Sequence, residues 1–190
     1  MSNDPLHWLD DELANLSVQH LRRELPLWSR DLDSGAIYGG DVSLINFASN
    51  DYLGLARELN SPTLQATLEE FGWGSGASPL VTGRTTVHAA LESDLAAFKA
   101  TERALTFPTG YAANVGTIAA LVGKQDVILS DIRNHASIID GCRLSGATVL
   151  VYRHNDMAHL AELLTSASSH RRRLIVTDSL FSMDGDVAPL

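Results

Sequence analysis

Three polar segments, set some twenty to forty residues apart, carry the side chains with chemistry in them. The first, Pro108-Thr109-Gly110-Tyr111-Ala112-Ala113-Asn114, follows the short apolar run Ala104–Phe107 and opens a helical pattern. Unpaired backbone N–H groups and the positive end of a helix dipole suit such a turn to a phosphate, with Thr109 adding a hydroxyl and Gly110 permitting close approach. The second, Ser130-Asp131-Ile132-Arg133-Asn134-His135-Ala136-Ser137, puts His135 at the start of the next helical pattern. The third, Thr177-Asp178-Ser179-Leu180-Phe181-Ser182-Met183-Asp184-Gly185-Asp186, is a turn rich in hydroxyls and carboxylates. Each has a plainer reading: a capped glycine turn, a surface or capping histidine, and a turn whose Asp and Ser side chains satisfy local backbone groups. Taken together on one edge of a sheet, they point to a small phosphorylated cofactor.

The elements that must position them are legible as an alternation. Short β-prone runs at Ala104–Phe107, Val127–Leu129, Thr148–Tyr152 and Leu174–Thr177 are separated by helical stretches at Tyr111–Val122, Ala136–Leu144 and Met157–Ala167. This order predicts an α/β fold with a mostly parallel sheet covered by helices. Right-handed crossovers then bring every strand-to-helix loop to the carboxyl edge, where ligands bind in such folds. Ahead of this region, Leu9, Leu13, Leu16, Val18, Leu21 and Leu25 repeat at near-helical spacing and predict an amphipathic arm over about residues 8–32, broken near its end by Pro26. Leu44–Ala48 reads as a strand followed by the turn Ser49-Asn50-Asp51. The stretch Gly72-Trp73-Gly74-Ser75-Gly76-Ala77-Ser78 has the look of a dinucleotide fingerprint, but it follows a helical run rather than a strand, so that reading is rejected. The last residues, Ala188-Pro189-Leu190, lie a few positions past the final expected strand, and a sheet of this kind is expected to continue beyond them.

Composition narrows the function classes. With 190 residues, 45% hydrophobic and 19% charged, the chain falls in the ordinary range for globular proteins. A formal net charge of −9 argues against a broad nucleic-acid or anionic-membrane surface. Arg171-Arg172-Arg173 is too short to reverse that and reads as a solvated loop before a strand. The single cysteine, Cys142, excludes a disulfide within the chain and a thiolate zinc site, and the histidines show no metal-ligand spacing, so no metal is expected. Asp4, Asp10, Asp11 and Glu12 leave no secretory pattern at the start, and no stretch approaches the roughly 18 apolar residues of a membrane span. The expectation is a soluble cytoplasmic protein.

Five motifs recur together: F-A-S-N-D-Y-L-G-L at 47–55, G-S-G-A-S at 74–78, T-G-Y-A-A-N at 109–114, N-H-A-S-I-I-D-G at 134–141 and F-S-M-D-G-D at 181–186. Their order and spacing resemble the α-oxoamine synthases, from about Leu21 onward. The resemblance implies the aspartate-aminotransferase-like fold of PLP-dependent transferases (fold type I), with residues 1–60 forming a helical arm and small-domain segment and 61–190 the N-terminal part of the large PLP-binding domain. It implies pyridoxal 5'-phosphate as cofactor, with its phosphate held at Gly110 and Tyr111, its ring stacked on His135 in a catalytic role, and a hydrogen bond from Ser182. Asn50 and His135 would lie near the substrate, and Arg22 would pair with a distal carboxylate. Implied partners are an amino acid, alanine or glycine, an acyl thioester, pimeloyl or acetyl on coenzyme A or a carrier protein, and a second copy in a homodimer. Pro79 stands where many relatives carry a basic residue. The family's Asp-x-x-His pair and Thr-x-x-Lys segment have no counterpart here, and the only lysines, Lys99 and Lys124, lie in other contexts. The expectation is therefore an N-terminal half, inactive alone, or a lysine-less partner subunit.

Overall fold

The structure, a computed structural model, describes residues 5–31, 34–57 and 61–190. The chain divides into two compact units, Met1–Trp73 and Gly74–Leu190.

In the first unit, helix α1 spans His7–Val18 and buries none of its residues. It stops well short of residue 32. His20 adopts a left-handed backbone (φ 56), and the His20 and Leu21 N–H groups turn back to the carbonyls of Ser17 (3.1 Å) and Leu16 (2.8 Å). These two bonds satisfy carbonyls that further helix would have used, so the Leu21 and Leu25 positions fall outside it. Strands β1 (Ser29–Arg30), β2 (Ala36–Gly39) and β3 (Val42–Ile45) form an antiparallel meander. Gly39 pairs with Val42 across the two-residue loop Gly40-Asp41, where Gly40 takes φ 60, the first central position of a tight hairpin turn. That pairing sets the strand at 42–45 rather than 44–48. A single turn at Leu55–Arg57 and helix α2 (Ser61–Phe71) complete the unit. Gly72, Gly74 and Gly76, all at positive φ, follow α2 directly, as the rejection of a nucleotide fingerprint required.

The second unit contains α3 (Thr86–Lys99), α4 (Gly110–Leu121), β4 (Val127–Asp131), α5 (Ala136–Ser145), β5 (Thr148–Tyr152), α6 (Met157–Ser166) and β6 (Arg173–Val176). The sheet order is β5-β4-β6, parallel throughout, with Val127 opposite Thr148 on one side and Arg173 on the other. Every residue of β4 is buried. Its alternate side chains feed two cores: Ile128 packs with Ile118, Val122, Ile138 and Cys142, while Val127 and Leu129 pack with Tyr152, Leu160 and Ala167. A central strand covered on both faces accounts for its unbroken apolar run. Helices α4 and α5 pack closely where Gly141 faces them, since a Cβ there would meet the Asn114 carbonyl oxygen at 3.1 Å and the Val115 Cα at 3.2 Å.

One further expectation needs correction. Ala104–Phe107 is not a strand; the Thr106 N–H donates to the Glu92 carboxylate at 3.2 Å instead of to a neighbouring strand. Arg84 at 2.7 Å, together with Thr106, holds Glu92 below the usual carboxylate range. Arg171–Arg173 is exposed and leads into a strand, as expected, but its side chains also bond to the rest of the unit. Arg171 makes two bonds of 2.8 and 2.7 Å to the fully buried Asp126, Arg172 donates to the Leu121 carbonyl at 3.1 Å, and Arg173 begins β6. The Arg171 guanidinium holds the Asp126 carboxyl down at about 2, against the opposing effect of its burial.

The accessible surface is 15,036 Å². Size scaling gives about 8,800 Å² for one compact protein of this mass and about 10,600 Å² for two separate compact units of these lengths. Large apolar side chains are among the exposed residues, Trp8, Phe47, Trp73, Leu80 and Phe98 included.

Candidate functional site

Helix α4 begins where the sequence places an anion. Its cap, Thr109, sits in extended backbone and accepts the Ala112 N–H on its hydroxyl at 3.0 Å, while the Thr109 carbonyl accepts from the Ala113 N–H at 3.0 Å. Of the four N–H groups a helix start leaves over, those of Gly110 and Tyr111 take no acceptor among the described residues. Nothing lies within 4 Å of where a Gly110 Cβ would stand, so a ligand can reach that backbone. The Tyr111 hydroxyl donates to Asp140, in the second turn of α5, at 3.0 Å, which raises the tyrosine pKa and ties the start of α4 to the middle of α5. A hollow of about 410 Å³ lined by Ala113, Asn114, Ile138, Val176 and Thr177 adjoins the same turn.

His135 caps α5 and lies exposed at the carboxyl end of β4. Its backbone is locked to the end of β6: the His135 N–H donates to Asp178 Oδ2 at 2.8 Å, and the Asp178 N–H donates to Asn134 Oδ1 at 2.9 Å. Asn134, itself buried, donates to the Val176 carbonyl at 2.8 Å and to the Ser130 hydroxyl at 2.9 Å. On the ring, Nδ1 accepts the Ser137 N–H at 3.2 Å and lies 2.7 Å from the Ser137 hydroxyl.

The third loop is stapled to the same edge by charges. His154, just past β5, places Nδ1 3.0 Å from Asp131 and Nε2 2.8 Å from Asp186, with its ring edge-on to Phe181. The Asp131 bond raises the His154 pKa, burial opposes it, and Asp186 reinforces the rise. Asp131 is pushed up by burial but more than compensated by the N–H groups of Arg133 and Asn155 and by His154, so its net shift is downward. Arg133 pairs with Asp184 in the turn that carries Ser182. Ser182 is exposed in that turn, with no hydrogen-bond partner among the described residues. His154, Asp184 and Asp186 come within 4.8 Å of one another, but His154 already spends both nitrogens on carboxylates.

Gly110, Tyr111, His135 and Ser182 thus fall in the second unit, on the loops that follow the strands or open the helices. Arg22 and Asn50 fall in the first: Arg22 is partly exposed beside Glu24 at 3.3 Å, and Asn50 is exposed in the turn between β3 and the Leu55–Arg57 turn. Asn114, Asn134, Ser137, Asp178 and His154 were not singled out by the sequence. The signal available for Asp131 and Asp178 is their place at or just past the carboxyl ends of parallel strands; Asn114 and Ser137 stand inside the T-G-Y-A-A-N and N-H-A-S-I-I-D-G motifs, but their spacing there points to no role.

Residues 42–190 match the aminotransferase class I and II family. The chain belongs to that family. Among curated members of this family, an 8-amino-7-oxononanoate synthase from Anaeromyxobacter sp. (strain Fw109-5) is 50% identical over 193 residues, covering 100% of this chain and 48% of its own length. The 8-amino-7-oxononanoate synthase of Geobacter metallireducens is 49% identical over 182 residues, covering 95% of this chain and 46% of its own length. The chain spans about half the length of the curated relatives it matches. Of solved family structures, the Sphingomonas wittichii serine palmitoyltransferase matches with TM-score 0.83 at 31% identity, over 98% of this chain and 48% of that one. An 8-amino-7-oxononanoate synthase from Francisella tularensis matches with TM-score 0.63 at 29% identity, over 75% and 39%. These matches bear out the expected aminotransferase-like fold. No helix among the described residues is long and apolar enough to cross a membrane.

Proposed function

We propose that this chain supplies the cofactor-phosphate cradle and substrate-facing histidine of a PLP-dependent C-acyltransferase of biotin biosynthesis. The reaction is the condensation of L-alanine with a pimeloyl thioester, with loss of carbon dioxide, to give 8-amino-7-oxononanoate. The observation that carries this reading is the pair of unpaired N–H groups at Gly110 and Tyr111, on a helix that also bonds to the start of α5 through Asn114 and Ser137. The identity of about half with curated 8-amino-7-oxononanoate synthases supports this substrate pair, while the solved serine palmitoyltransferase at 31% and 8-amino-7-oxononanoate synthase at 29% do not separate the two.

The residues present fit PLP: two N–H donors without an acceptor among the described residues at the positive end of a helix for a dianionic phosphate, open space at Gly110, and an exposed imidazole at the start of the helix packed against it. When bound, PLP supplies an electron sink for the carbon next to the amino group. The chain's own part is to bind and to orient. Gly110 and Tyr111 hold the phosphate, His135 covers the ring face, Ser182 gives a hydroxyl hydrogen bond, Asn50 lies near the amino acid, and Arg22 pairs with the far carboxylate of the acyl chain. The reading includes a cytoplasmic homodimer, supported by the amount of apolar surface left exposed.

The test is a chimera in which this chain replaces the matching half of the Geobacter metallireducens enzyme. Formation of 8-amino-7-oxononanoate from alanine and pimeloyl thioester is the expected result. A chimera that retains PLP but accepts only glycine and acetyl thioester, or no pair, would overturn it.

A further inference from the structure

Among the described residues, the ring of His135 is held from one side only, by groups from two helices. Ser137, fully buried in the first turn of α5, offers its backbone N–H to Nδ1 at 3.2 Å and sets its hydroxyl oxygen 2.7 Å from the same nitrogen. Asn114, on α4, donates its side-chain N–H to that hydroxyl oxygen at 2.9 Å. An oxygen that receives the Asn114 N–H has its own hydrogen left to give, and the nearest acceptor is Nδ1. The backbone N–H cannot reverse its polarity at all. Both donors therefore converge on Nδ1, which must accept, and the ring hydrogen of the neutral imidazole must sit on Nε2.

We propose that Asn114 and Ser137 form a donor relay that fixes His135 as its Nε2–H tautomer, so that the exposed edge of the ring always presents a hydrogen-bond donor to the substrate. The two are positioning residues. They act through His135. The relay starts on the same helix that opens with Gly110 and Tyr111, so one rigid element sets both the phosphate cradle and the polarity of the histidine. The inference rests on the reading of His135 as cofactor- and substrate-facing, but the tautomer itself is a property of the chain alone.

The experiment is a long-range ¹H–¹⁵N correlation spectrum of the ring nitrogens in the ¹⁵N-labelled chain, with His135→Gln giving the assignment. The parent should show Nε2–H as the dominant form. Ser137→Ala should lower the Nε2–H to Nδ1–H ratio about five-fold, the factor carried by one ordinary hydrogen bond. Asn114→Leu should move it in the same direction, and Ser137→Thr, which keeps the hydroxyl, should restore the parent ratio. An unchanged ratio in Ser137→Ala would overturn the proposal. So would a loss of helical far-UV signal in Ser137→Ala that Ser137→Thr shares, because Ser137 would then be a packing residue. Added PLP separates the two readings. If PLP leaves the His135 resonances untouched while the variants shift the ratio, the functional reading fails and the relay stands. If PLP shifts them while Ser137→Ala does not change the ratio, the relay fails alone.

Discussion

Unfolding this chain should expose less surface than its length suggests. Fully unfolded, a chain of 20.5 kDa exposes about 29,700 Å². The folded chain already exposes 15,036 Å², so folding buries about 14,700 Å². A compact protein of this mass, whether one unit or two, would bury about 19,000–21,000 Å². The chain thus buries roughly three-quarters of that amount. Denaturant m-values and the heat-capacity change both scale with the surface exposed on unfolding. The urea m-value should accordingly be about three-quarters of that of a compact 190-residue protein, and the heat-capacity change about 1.7–2.1 kcal/mol/K rather than about 2.3–2.9. Urea unfolding followed by circular dichroism, at two protein concentrations, and scanning calorimetry measure these quantities. An m-value and heat-capacity change at the full compact values, with a concentration-independent midpoint, would refute the reasoning, because the single chain would be burying side chains that the structure leaves in solvent.

Four further outcomes follow from the geometry. Asp126 is held at about 2, well below its unfolded value of 3.8, so its contribution to stability is present above about pH 4 and lost as pH falls toward 2. Urea midpoints of the parent should drop across that window, and those of Asp126→Asn should be lower at neutral pH and flatter. Gly141→Val should cost about 1–3 kcal/mol by forcing α4 off α5, while Gly123→Ala, whose Cβ would meet nothing nearer than 4.0 Å, should be near neutral in the same urea titration. His154→Gln should loosen the loop carrying Ser182, read as faster amide exchange over residues 181–187 with β4 still protected. Borohydride treatment after PLP addition should leave Lys99 and Lys124 without a stoichiometric adduct by peptide mass spectrometry.

The second unit was largely legible because its signals are local and agree with one another. The β4, β5 and β6 runs are apolar and short, the intervening helices carry caps at Thr109, His135 and Asp156, and the alternation itself dictates a parallel sheet. Ala104–Phe107 failed for the opposite reason. Its composition is that of a strand, but a strand exists only where a neighbour takes its hydrogen bonds, and Thr106 gives its N–H to Glu92. The arm at 8–32 failed because its apolar spacing continues past the point where His20 turns the backbone left-handed. The Gly39-Gly40-Asp41 turn, by contrast, carries its own hairpin signal in the sequence. At the site, Asn114, Asn134 and Ser137 lie in the same motifs as the residues proposed to meet a ligand, but the motifs do not show what each one binds. Asn134, Asp178 and Asp131 bind across 40 or so positions of sequence or through backbone groups, and only the fold brings those partners together.

The central claim is that the start of α4 holds the cofactor's phosphate, and Gly110→Pro tests it most directly. Proline is well tolerated at the first position of a helix, and Thr109 before it is already extended, so the substitution removes one N–H donor and leaves the helix in place. Titration of the chain with PLP and with pyridoxal, which lacks the phosphate, reads the loss. The account expects PLP affinity to fall about 10- to 100-fold in Gly110→Pro, the value of one hydrogen bond to a charged group, with pyridoxal affinity unchanged. Equal PLP affinity in parent and variant, with the helix intact by circular dichroism, would contradict it.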